Sequence, residues 1–174
     1  MHMIRTRQPR GAAGYALMEA LVAVIVASVG FIGAARMQTT GMQLANSAQS
    51  RQKATLLGYQ MTDRIRANRE GFEKGLYNNP ATPPAGAKDC LIDADGCDST
   101  ELAAADLREW LDDVAALPGG KGKICLDGTP NDSDATSEVP KCDGAVGGVI
   151  AVKIWWTDNA AESRESRFVT VVLP

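Results

Sequence analysis

Apolar and polar positions are segregated along this chain. From Tyr15 to Ala35 the side chains are almost uniformly apolar, and Glu19 is the single charged one. Wound as a helix, that run spans roughly 31 Å and matches a hydrocarbon core of about 30 Å. No proline follows until Pro80, so the pattern predicts one helix from about Ala16 to about Asn68. Such a helix would run about 80 Å. Its second half changes character: Asn46 to Lys53 is polar on every face, then Ala54, Leu57, Met61 and Ile65 recur every three or four residues. That stripe predicts packing on a folded domain above a solvated neck. Gly30, Gly33, Gly41 and Gly58 interrupt the helix, each at up to about 1 kcal/mol relative to alanine. Small residues permit close helix packing in a membrane, which would set Gly30 and Gly33 toward neighbours; local flexibility is the alternative reading.

Beyond the helix, Glu70 to Ser99 contains NNP and TPP and reads as a loop-rich connector. A short amphipathic helix follows, opened by Asp98 and Glu101 in a capping-box spacing. Leu107, Trp110, Leu111, Val114 and Leu117 line one face of it, and Pro118-Gly119-Gly120 ends it. The period then changes to two. Lys121 to Asp127, Val149 to Thr157 and Arg167 to Leu173 read as strands, the last two joined by the turn DNAAESRES. Ile150, Val152, Ile154 and Trp156 share one face, but both faces carry apolar residues. One face is therefore expected against the long helix and the other against the short helix or a neighbour. The fold class is α+β: a long N-terminal helix on a small antiparallel sheet.

Composition adds little by itself, since 45% apolar and 22% charged residues are ordinary for a globular protein. With 174 residues the chain has room for one domain beside the apolar helix. Charge placement says more. Arg5, Arg7 and Arg10 precede the apolar run without an acid, which predicts a cytoplasmic N-terminus and an exported remainder. Cys90, Cys97, Cys125 and Cys142 all fall in that exported part, and an even count there favours two disulfides in one of three connectivities. Pairing of sequence neighbours is preferred, because Cys90 with Cys97 and Cys125 with Cys142 each bracket a loop-like stretch. The second would close a loop of about 18 residues and add about 3 kcal/mol on the chain-entropy model. Zinc is disfavoured, since there is no C-x2-C pair and no histidine nearby.

The apolar run has two ordinary readings: a secretory signal peptide cut near Gly33 and Ala35, or a single-pass anchor. The boundary GAAG followed by YALMEALVAV resembles a third, the type IV prepilin signal. In that family a short basic leader ends in glycine, an aromatic residue opens the mature chain, and a glutamate stands at its fifth position. Gly14, Tyr15 and Glu19 occupy those places, with tyrosine where phenylalanine is usual. The resemblance implies cleavage after Gly14 by a prepilin peptidase, methylation of the Tyr15 amine, and retention of the helix. Residues 1–14 would then be leader, 15–36 the transmembrane and assembly half of the helix, 37–69 its exported half and 70–174 the exported domain.

A carboxylate within a spanning helix is costly, by about 2.5–3.5 kcal/mol for Asp at the centre, and usually marks a partner. Four residues from Tyr15, Glu19 lies about 6 Å inside the boundary, where the cost is lower. Processing creates a cation at similar depth, the Tyr15 amine. An ion pair between Glu19 of one subunit and that amine of the next would set axial register as a filament grows; the alternative is a carboxylate that snorkels to the interface at a helix end.

Further stretches, LLGYQMTDRIRANREG, DLREWLDDVAALPGGKGKIC and VKIWWTD, are similar to the PilV branch of type IV minor pilins. That resemblance implies a pilin-like fold with a disulfide-bounded loop, and a subunit that primes pilus assembly. It also implies partners: other minor and major pilins, the inner-membrane assembly platform and a tip adhesin. The location implied is the inner membrane, with a periplasmic domain, and then the pilus. The alternatives are a minor pseudopilin of type II secretion and a membrane-anchored binding domain unrelated to filaments. The long disulfide-bearing exported part favours the pilus.

Cleavage would also remove His2, the one histidine, and with it histidine-dependent triads and metal sites. No nucleophile elbow or P-loop is present. No cofactor, metal or catalytic residue is expected. Asp93, Asp95, Asp98 and Glu101 do not have EF-hand spacing. Without the three leader arginines the chain keeps 15 basic residues against 21 acidic, a net −6 that disfavours nucleic acid. Arg64, Arg66 and Arg69 cluster where cations complement a helix C-terminus.

Overall fold

A computed structural model describes residues 13–78, 88–90, 92, 96–132, 134–144, 147–159 and 164–173, with the backbone alone at 13, 14, 159 and 164. The basic leader up to residue 12, the acidic residues Asp93 and Asp95, and the tip of the last hairpin lie outside the described residues. Two compact units result, residues 1–44 and residues 45–174. Helix α1, Ala13–Ala67, contributes to both.

The first unit is helical wherever it is described, and its apolar side chains are all exposed. The second has a core of its own. Ala54, Leu57, Met61 and Ile65, the expected stripe of α1, are each at most 5% exposed. They pack with Leu107, Trp110 and Val114 of helix α3 (Ser99–Ala115) and with the sheet.

The helix does not stop into a loop where the connector was expected. It pauses at Asn68 and resumes as α2, Arg69–Glu73. Asn68 is the cause, because its side chain accepts from the Gly71 N–H at 3.1 Å and caps a new helix, as Asn does well. A Schellman closure ends α2, with Leu76 N–H on Gly71 C=O and Gly75 N–H on Phe72 C=O. Helix α3 carries the expected capping box: Asp98 accepts from the Thr100 and Glu101 N–H groups, and Glu101 accepts from the Asp98 N–H.

Strands β1 (Lys121–Asp127), β2 (Val149–Asn159) and β3 (Arg164–Val172) form an antiparallel sheet in the order β1-β2-β3. The last hairpin is tighter than the run DNAAESRES suggested, because β2 and β3 extend into it and a bulge falls between Thr157 and Asn159. Polar residues are tolerated there because the Asp158 carboxylate accepts from Trp156 Nε1 and from the Ser166 hydroxyl.

The register separates the faces. Ile124 opposes Val152 and Ile154 opposes Phe168, so those residues share one face with Ile150 and Trp156. Both α1 and α3 pack on that face, which corrects the expectation that they divide the two. Trp110 explains the arrangement, for its indole N–H donates to the Leu57 carbonyl of α1 at 3.1 Å. Glycine admits both contacts. A Cβ on Gly58 would stand 2.5 Å from the Phe168 ring, and one on Gly122 would stand 2.6 Å from the Trp110 ring. The opposite face is covered by the segment from Gly128 to Gly144. Arg167 donates to the carbonyls of Asp132 and Ala135 in it, and Lys153 donates to the Pro140 carbonyl at 2.8 Å.

Candidate functional site

In the first unit the expected assembly residues sit at the start of α1. Gly14 lies in its first turn, Tyr15 is 84% exposed, and Glu19 is exposed one turn later. Residues four apart share a helix face, so Tyr15 and Glu19 project to the same side. Around them stands a helix long and apolar enough to cross a membrane, with a mean hydropathy of 2.2 over 18 residues and none of that window buried. Its Ser28, Thr39 and Thr40 hydroxyls bond within the helix. Ser28 donates to the Ile25 carbonyl at 2.8 Å, and Thr39 and Thr40 donate to the Arg36 carbonyl at 2.9 and 3.1 Å. Such back-bonding satisfies the Ser28, Thr39 and Thr40 donors without water. Nothing lies within 4 Å of where a side chain on Gly30 or Gly33 would begin, so both present bare backbone outward.

The second unit holds the cysteines and two buried polar groups. Cys90 is bonded to Cys97, and Cys125 to Cys142. Both are sequence-neighbour pairs. Cys125, Asp127 and Cys142 come within 4.8 Å of one another, a spacing that could suit a metal. The two sulfurs are spent on a disulfide, so no thiolate remains to bind one.

Beside that bridge, Lys153 of β2 and Asp127 of β1 form an ion pair in which both side chains are wholly buried. The Thr129 N–H donates to Asp127 Oδ1 at 2.9 Å, while Oδ2 meets the ammonium without the alignment of a hydrogen bond. The bridge, with the Lys153 hydrogen bond to the Pro140 carbonyl, fastens the Gly128–Gly144 segment to the sheet. Sequence reading missed this pair, although a lysine inside VIAVKIWWT was the signal. Lysine is almost never fully buried without a partner.

A second network joins the end of α1 to α2 and α3. Tyr77 donates its hydroxyl to Asp106 Oδ2 at 2.7 Å, and Asn68 Nδ2 donates to Tyr77 at 3.0 Å and to the Ser99 carbonyl at 2.7 Å. Arg64 reaches Glu109 at 2.7 Å and Asp106 at 3.6 Å. Burial raises the Asp106 carboxyl above its ordinary value, against the pull of Tyr77 and Arg64. Burial and the Asp106 carboxylate push the Tyr77 hydroxyl up as well. Glu109 is lowered by its hydrogen bond from Arg64. Asp106 was legible only as an acid on the apolar side of α3, beside Leu107 and Trp110.

The rest of the basic cluster is also paired, Arg66 with Asp63 at 3.6 Å and Arg69 with Glu73 at 2.8 Å. These arginines are structural ion pairs rather than an open anion site. A cleft of about 580 Å³ beside Arg64 is lined by Lys88, Asp106, Arg108, Glu109 and Asp112. Its lining residues include no serine, threonine, histidine or free cysteine. No family model, curated protein or solved structure matches the chain.

Proposed function

We propose that this chain is a minor subunit of a type IV pilus, held in the inner membrane by the first half of α1 before it enters the filament. The observation that carries the reading is Glu19, the one charged residue in the exposed apolar stretch Tyr15 to Ala35 of α1, one turn beyond a Gly14-Tyr15 boundary. A retained anchor has no use for that carboxylate, whereas a filament supplies it with the new amine of a neighbouring subunit. Prepilin peptidase would cut after Gly14 and methylate Tyr15. Other pilins and the assembly platform would then draw the helix out of the bilayer, and the exported domain would support a tip complex bearing an adhesin.

Mass spectrometry of the mature N-terminus tests the processing. The expected result is a methylated Tyr15; an intact Met1 or a start near Arg36 rejects the reading. Incorporation is tested by Glu19→Ala, which should leave processing intact and reduce the subunit in sheared filaments at least tenfold. Normal incorporation of that variant would reject the ion pair.

A further inference from the structure

The sheet carries two buried layers that do not join. On one face Ile124, Ile150, Val152, Ile154 and Trp156 belong to the apolar cluster that α1 and α3 build. On the other face Cys125, Ala151 and Trp155 are buried as well, beside Asp127 and Lys153, yet none of them is part of that cluster. The Gly128–Gly144 segment covers them, and of its described residues only Ala135 is buried. Apolar burial therefore does little to hold this strap. Its ties are polar: Arg167 donates to the Asp132 and Ala135 carbonyls and Lys153 to the Pro140 carbonyl, while the Ser137 N–H donates to the Glu165 carboxylate and the Gly144 N–H to the Leu126 carbonyl, both at 3.1 Å. Each of these groups has water as an alternative partner, so each tie contributes little net. The covalent tie is the Cys125–Cys142 bridge.

Two features beneath the strap favour its lifting. Trp155 Nε1 is buried without an acceptor among the described residues, whereas the indoles of Trp110 and Trp156 donate to Leu57 and Asp158. An orphaned N–H is stabilised by reaching water. The buried Lys153–Asp127 pair also recovers its hydration, which offsets most of the attraction it gives up.

We propose that Gly128–Gly144 is a redox-locked strap: bridged, it lies closed on the sheet, and reduction of Cys125–Cys142 releases it as a unit while the core of α1, α3 and the sheet stays folded. The reductant is a dithiol. Its thiolate attacks Cys142, the less buried partner, and Cys125 leaves as a thiolate that takes a proton. The donor's second thiol then closes a disulfide within the donor and frees Cys142 as a thiol. Two electrons and two protons pass from donor to protein. A region with few buried apolar contacts opens at lower free energy than a core does, which is why the strap and not the domain responds. The inference does not rest on the chain's being a pilin.

The test is hydrogen exchange, followed by nuclear magnetic resonance, on the full chain in detergent before and after reduction with dithiothreitol. The Ser137 and Gly144 amides and the Trp155 indole N–H report the strap; the Trp110 indole N–H and the α3 amides report the core. Reduction should speed strap exchange about a hundredfold, the factor expected of a cross-link over a loop of this length. Core exchange should change by less than about threefold, as for a separate unit of opening. Reoxidation should restore the slow rates. Cys90→Ser with Cys97→Ser removes the other bridge and should leave the strap rates unchanged, whereas Cys125→Ser with Cys142→Ser should reproduce the released strap without reductant. Unchanged strap exchange on reduction overturns the proposal. So does core exchange that rises with the strap, outright unfolding included, because the bridge would then hold the whole domain. Release of the strap by loss of Cys90–Cys97 alone overturns it as well, since the lock would not be Cys125–Cys142.

Discussion

At the scale of single residues, stability in the second unit depends on buried charges that are worth little as a pair and cost much when split. Lys153 and Asp127 are both wholly buried, so Lys153→Met leaves a carboxylate in a low-dielectric site with one backbone donor. A loss of about 3–5 kcal/mol is expected, measured by denaturant unfolding. The double variant Lys153→Met with Asp127→Asn should recover most of it, because the remaining amide is neutral and can still accept from Thr129. Losses that simply add would show that the pair is not coupled. Asp106 makes a separate prediction about pH. Its folded carboxyl is raised, so the native state holds that proton more tightly than the unfolded chain, whose aspartates titrate near about 3.9. The stability this supplies is complete below that value and is lost as pH rises through the folded pKa. Relative to the wild type, the melting temperature of Asp106→Asn should therefore rise between pH 4 and pH 7. Glu109 acts in the opposite sense. Its lowered carboxyl stabilises above the ordinary range and loses that contribution in acid, so Glu109→Gln should fall behind the wild type as pH increases.

Among elements, what could be read in advance followed from local period and punctuation. The long helix was legible because no proline interrupts it before Pro80, and α3 because Asp98 and Glu101 mark its start. The strands were legible from alternation. Short α2 was not, since its cap is Asn68, a residue equally at home in a turn, and what fixes it is a set of contacts to Tyr77 and Ser99. The early start of β3 was hidden by its polar residues, which the Asp158 carboxylate accommodates from across the hairpin. Nor could the placement of both helices on one face be read locally, because it rests on Trp110 reaching Leu57, 53 residues away. Glycine positions make that packing testable. Adding a methyl at Gly122 drives it into the buried Trp110 ring, whereas at Gly58 it meets the Phe168 ring, which is only partly buried. Gly122→Ala is expected to cost about 1–3 kcal/mol, the usual range for an overpacked core. Gly58→Ala should cost less, its clash being offset by the better helix propensity of alanine. An equal or reversed order in thermal unfolding would mean that Trp110 does not set the spacing of α3 on the sheet.

On the scale of the whole molecule, the two units differ in what they bury. Every core residue from Ala54 onward lies in residues 45–174, together with both disulfides and both buried polar networks. By contrast, Tyr15, Leu17, Phe31 and Met37 are among side chains more than 70% exposed in the first unit, an apolar surface far beyond what a water-soluble monomer tolerates. A fragment beginning at Ala45 should therefore fold without detergent, remain monomeric at micromolar concentration, and melt within a few degrees of the full chain in micelles. Ser47 belongs in that fragment, because its hydroxyl bonds to Asp158 and helps hold that carboxyl below the ordinary range. Starting later, at Lys53, removes Ser47 and the Arg51 charge that acts on the same group, and should lower the melting temperature although no core residue is lost. The contrast between the two fragments separates a domain that folds on its own core from one that depends on the apolar helix for its stability. If the Ala45 fragment is unfolded or aggregates while the full chain in micelles does not, the first half of α1 contributes to folding.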